Sequence, residues 1–70
     1  MEGIVVRVMR EKRYGFIKGP TEEYFFHADD LNGFFEDVVE DLERKQIVKV
    51  SFEIATSLKG PRAGNVTILP

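Results

Sequence analysis

Two short stretches are rich in aromatic rings, and lysines flank the first of them. The first is Lys12-Arg-Tyr-Gly-Phe-Ile-Lys18 and the second is Tyr24-Phe-Phe-His27. Side chains alternate across an extended strand, so residues two apart share a face. In the first stretch one face carries Lys12, Tyr14, Phe16 and Lys18, and the other Arg13, Gly15 and Ile17. In the second stretch Phe25 and His27 share a face, and Tyr24 and Phe26 share the opposite one. Lysine is rarely buried without a partner, so the Lys12/Lys18 face is the outer one. Ile17, Tyr24 and Phe26, together with Phe52, are then core residues. Tyr14, Phe16, Phe25 and His27 are left in water, ringed by positive charge. Flat exposed rings interleaved with lysines suit an unpaired nucleic-acid strand. Stacking contributes roughly 1–3 kcal/mol per base, and lysines meet the phosphates with a strength that falls as salt rises. His27 can stack or hydrogen-bond to a base edge, and Gly15 permits a close approach to the backbone.

These rings need strands to hold them. Residues 4–9, 12–18, 23–27, 46–55 and 65–69 have the β-branched and aromatic content of strands. Arg10-Glu11-Lys12 reads as a charged turn, Gly19-Pro20-Thr21 as a strong break, and Thr56 to Gly64 as a turn-rich loop. Between the third and fourth strands, Phe35, Val38, Val39 and Leu42 fall at helical spacing and predict a helix over 34–44. Its acids lie early (Glu36, Asp37) and bases late (Arg44, Lys45), which suits the helix dipole. The expected architecture is all-β: a five-stranded antiparallel OB-type barrel with a short helix between strands three and four, residues 1–70 forming a single domain. Closing the sheet removes exposed edges. Periodicity alone also allows an open five-stranded sheet with a helix on one side.

With 70 residues and 8.0 kDa the chain can build one small core. Such a core supplies roughly 3–5 kcal/mol of net stability, which argues against a deep, multilayered active site. Hydrophobic residues are 43% and charged residues 31%, an ordinary globular balance. No run approaches the ~18 apolar residues of a spanning helix, and the start lacks the basic segment of a secretory signal. The absence of cysteine rules out disulfides, thiolate metal sites and a cysteine nucleophile. A cytoplasmic location fits these features. Enzymatic activity is not expected: His27 is the only histidine, and no nucleophile lies near it in sequence. No cofactor or metal is expected either, since His27 with Asp29-Asp30 has no metal spacing, and the two aspartates read as caps or turn formers. The net charge of −2 hides a strong asymmetry. Residues 1–20 sum to +3, 21–43 to −9 and 44–70 to +4. If the two ends fold side by side, a locally positive face can exist on an acidic protein, and local potential decides whether a polyanion docks.

Lys12-Arg-Tyr-Gly-Phe-Ile17 resembles the first ribonucleoprotein motif of the bacterial cold-shock domain, Lys-Gly-Phe-Gly-Phe-Ile. Tyr24-Phe-Phe-His27 resembles the second, Val-Phe-Val-His. The likeness extends to Met1-Glu-Gly-Ile-Val5, Val50-Ser-Phe-Glu-Ile54 and Gly60-Pro-Arg-Ala-Gly-Asn-Val66, covering most of the chain outside 28–46. It implies a five-stranded OB barrel that binds single-stranded RNA or DNA and can loosen RNA structure, as an RNA chaperone or regulator of gene expression. It also implies a stacking platform of Tyr14, Phe16, Phe25 and His27 beside Lys12, and a basic loop residue at Lys59. Arg7 stands at the family's stacking tryptophan, Arg13 at a glycine, and Ala28 at an aromatic. Arg7 can stack its guanidinium plane on a base or remain a surface charge. The 28–46 region is longer than the family's loop, whose aromatic corresponds to Phe34 or Phe35, and Phe34 joins the candidate binding residues. The missing rings lower the expected affinity. They leave two alternatives open: a protein-interaction OB module that has lost nucleic-acid binding, and a ribosome-associated OB domain akin to translation initiation factor one. A monomer is the default.

Overall fold

Three strands open the chain: β1 (Glu2–Met9), β2 (Tyr14–Lys18) and β3 (Glu23–His27). A one-turn 3-10 helix (Ala28–Asp30) and the two-residue β4 (Leu31–Asn32) follow. They lead to α1 (Phe35–Glu43), β5 (Lys49–Ala55) and β6 (Arg62–Ile68). The computed structural model describes residues 1–55 and 57–70. Thr56, the expected start of the last loop, lies outside the described residues. The second strand starts later than expected because residues 10–13 form the turn, closed by the Arg13 N–H donating to the Met9 carbonyl at 2.8 Å. Lys12 is therefore a turn residue. The fourth long strand also starts late, leaving Ile47 72% exposed before it. The last strand, by contrast, starts early, at Arg62.

β2 lies between β1 and β3, β1 pairs with β5, and β5 with β6, all antiparallel. The sheet closes where β3 and β6 run parallel, with Phe25 beside Arg62. The expectation of a wholly antiparallel barrel is thus corrected to a mixed one. Directions cannot alternate all the way round a ring of five strands, so one neighbouring pair must be parallel. β4 adds a second parallel pairing with β6.

The interior holds Ile17, Phe26, Val50, Ala63 and Val66 at 0% exposure. Tyr24 packs on Phe52 with ring centroids 5.1 Å apart. Burial, and then the Glu22 carboxylate that accepts its hydroxyl hydrogen at 3.4 Å, push the Tyr24 phenol above its usual pKa. α1 buries Phe35, Val38 and Val39 in the same core, with Phe35 6.4 Å from Phe26. Phe34 precedes the helix and is 77% exposed. The helix stops as hydrogen bonds turn back on it: Lys45 N–H donates to Leu42 and Gln46 N–H to Asp41. This reversal places Lys45 at φ 60, a conformation that favours glycine. Lys45→Gly is expected to raise stability by ~0.5–1 kcal/mol after the extra unfolded-chain entropy is counted. A thermal melt checks this, and a lowered midpoint contradicts it.

Candidate nucleic-acid interface

The outer face of β1–β3 depends on one irregularity. Val5 pairs with Ile17, but Arg7, not Val6, pairs with Phe16, so Val6 is the extra residue of a β-bulge. A regular β1 would put Arg7 opposite Gly15, on the inward side. The bulge keeps both Val5 and Val8 against the core and sends Arg7 outward beside Phe16. Across the next pair, Phe16 lies opposite Phe25 and Tyr14 opposite His27. The three rings touch one another: Tyr14–Phe25 at 5.2 Å, Phe16–Phe25 at 5.9 Å and Tyr14–Phe16 at 6.0 Å between centroids. Each is half-buried by its neighbours. Gly15, between two of them, faces inward. A Cβ there would stand 2.8 Å from the Phe26 ring and 2.7 Å from the Arg7 carbonyl. The close approach expected at this glycine therefore comes from the barrel interior.

Two arginines hold matching positions beside the rings. Arg7 lies over Phe16, 4.4 Å from the ring centroid, and its Nη2 donates to Glu23 Oε1 at 3.2 Å. Arg62 stands 5.9 Å from the Phe25 centroid, and its Nη2 donates to Asp30 Oδ2 at 2.8 Å. Both guanidinium groups lie over their rings, Arg7 the closer of the two. His27 Nδ1 accepts the Asp29 backbone N–H at 3.0 Å, so the neutral ring carries its hydrogen on Nε2. Of the two roles expected for Asp29 and Asp30, caps or turn formers, the structure gives the second. His27 caps the 3-10 turn, Asp29 and Asp30 lie within it, and Asp30 is the arginine's partner. A cleft of about 520 Å³ gathers Phe16, Phe25, His27, Lys59 and Arg62. Tyr14 joins this group through Phe25, and Arg7 through Phe16. Lys12 in its turn, Lys18 at the far end of β2 and Phe34 before α1 do not line the cleft. Among the described residues Lys12, Lys18 and Lys59 make no ion pair. Sequence reasoning missed Arg62, because only the parallel β3–β6 closure brings it to Phe25.

Among the described residues no group of three or more His, Asp or Glu side chains could hold a metal, and no helix is long and apolar enough to cross a membrane. The family model of the 'cold-shock' DNA-binding domain matches residues 1–69. The chain belongs to this family. No curated protein matches it. Cold-shock domains bind nucleic acid, in single-stranded form. Within this cold-shock domain the turn before β2 holds Arg13 in an unusual backbone conformation. Arg13 sits at φ 57, where a side chain is strained, and its guanidinium lies 5.7 Å from the Phe35 ring. The inserted region forms α1, whose Glu36 and Glu43 reach Arg10 at 3.7 and 3.1 Å.

Proposed function

We propose that this cold-shock domain binds single-stranded RNA or DNA by stacking unpaired bases on Tyr14, Phe16 and Phe25, with His27 at a base edge. The observation that carries this reading is the mutual contact of the three rings on one open sheet face. Lys12, Lys18 and Lys59 supply phosphate contacts, and Arg7 offers its guanidinium plane in place of the family's indole. Phe34 contributes an exposed ring at the edge of the inserted region. A protein that binds only the unpaired form shifts the pairing equilibrium towards it, which makes RNA chaperoning or regulation of gene expression the corresponding role. In this reading residues 1–70 act as one domain and as a monomer. No chemical step is assigned to the site, and the expected setting is cytoplasmic.

Labelled oligo-dT or oligo-U tests the proposal. Three phosphate contacts imply a slope of about −2 in log K against log salt, or roughly a 100-fold loss of affinity per tenfold rise in salt. Absence of binding at every salt concentration would overturn the reading. It would favour instead a protein-interaction module, for which the acidic α1, carrying Glu36, Asp37, Glu40, Asp41 and Glu43, is the supporting feature.

A further inference from the structure

We infer that the cleft between β1 and α1 takes a peptide segment of alternating cationic and apolar residues as an added strand. The inference concerns a surface apart from the stacking platform and does not rest on it. β1 pairs with β2 as far as Met9, but on its other side it pairs with β5 only over Glu2–Ile4. Among the described residues no strand pairs with that side of residues 6–9, and α1 stands beside it instead. Strand and helix leave a cleft of about 480 Å³ between them. Its apolar lining is Val6, Val8 and Met9 from the strand and Val39 and Leu42 from the helix. Val6 and Met9 are 40% and 47% exposed, so apolar surface meets water at an unpaired strand edge. Such an edge is a template for one more strand. Main-chain hydrogen bonds then supply affinity, and the pockets for alternate side chains supply specificity.

The charge along the cleft selects the occupant. Glu36, Glu40 and Glu43 fall at i, i+4 and i+7, on one ridge of the helix. The ridge looks towards β1, because Arg10, just past the end of that strand, reaches Glu36 at 3.7 Å and Glu43 at 3.1 Å. One guanidinium thus answers two carboxylates, and among the described residues Glu40 has no ion pair. Arg7, the other cation of the cleft, is engaged by Glu23. Acid therefore outnumbers base beside an apolar floor. An extended segment that alternates valine with lysine matches both features: its valines cover the floor, and its long lysine side chains reach the ridge. The same ridge repels a nucleic-acid strand. A second copy related by a two-fold axis would bring two acidic ridges to one edge.

The test titrates the whole chain with the synthetic peptide Lys-Val-Lys-Val-Lys-Val-Lys and follows backbone amide shifts by NMR. The amides of Val6 to Met9 and of Glu36 to Glu43 are expected to shift saturably, with affinity falling as salt rises. Lys-Pro-Lys-Pro-Lys-Pro-Lys keeps the charge but lacks ladder donors, and it should lose most of the binding. Glu-Val-Glu-Val-Glu-Val-Glu should not bind. Glu40→Lys should weaken the lysine–valine peptide by roughly 2- to 30-fold, the loss of one exposed ion pair and the gain of a like-charged one. Its thermal midpoint should stay near that of the wild type, since Glu40 is exposed. Absence of shifts at those amides, equal binding of the valine and proline peptides, binding of the glutamate peptide, or unchanged affinity in Glu40→Lys overturns the inference. So do shifts of the same amides that grow with protein concentration alone, which would make the occupant a second copy. Each of these overturning results leaves the stacking function standing, and failure to bind oligo-dT or oligo-U leaves the cleft standing.

Discussion

Phe25→Ala is expected to weaken binding of a short pyrimidine oligonucleotide by roughly 5- to 100-fold, the loss of about one base stack. Phe25 is the ring both others share, 5.2 Å from Tyr14 and 5.9 Å from Phe16. Its removal takes away one stacking surface and unseats the neighbours that define the rest. The fold should survive, because the side chain is half-buried and its losses are mainly ring–ring contacts worth about 0.5–1.5 kcal/mol per pair. Phe25→Leu sharpens the result. It preserves apolar bulk but not a planar face, so it should fall close to Phe25→Ala in affinity and close to the wild type in thermal stability. Isothermal titration with thermal melts of all three proteins decides the matter. Unchanged affinity in both variants would remove the platform from the binding site.

One residue further on, the same substitution should have the opposite signature. Phe26 is 0% exposed, and its ring lies against Gly15 on one strand and 6.4 Å from Phe35 on the helix. Truncating a buried phenylalanine to alanine costs about 3–5 kcal/mol, as much as the roughly 3–5 kcal/mol that a core of this size supplies in all. Phe26→Ala is therefore expected to be largely unfolded at room temperature, with collapsed amide dispersion by NMR and no cooperative melt. Binding would vanish with the fold at any salt concentration. A cooperative transition within a few degrees of the wild type would show that the barrel does not depend on this ring. Adjacent phenylalanines with opposite phenotypes are a direct consequence of strand alternation.

That alternation is what the sequence by itself determined. Lys18 could not point inward unpaired, so Tyr14, Phe16 and Phe25 had to face outward while Ile17, Tyr24 and Phe26 faced inward, and the structure has them so. The spacing of Phe35, Val38, Val39 and Leu42 was likewise enough to place α1 and its buried side, because the helical period is a local property. The resemblance left open whether Phe34 or Phe35 is the family's loop aromatic; in the structure Phe35 is buried with that helical face and Phe34 is exposed. Lys12 misled because the strand pattern continues through it, but the hydrogen bonds of the turn end β2 at Tyr14.

Tertiary structure alone decided the direction of Arg7 and the presence of Arg62. Arg7 faces outward because β1 spends Val6 on a bulge, and a bulge is defined by the partner strand's register. Arg62 reaches Phe25 because an odd ring of strands must close through one parallel pair, and here that pair is β3 and β6. Periodicity reports which side of its own strand a residue occupies. Which distant residue stands beside it follows from register and closure, which are properties of the assembled sheet.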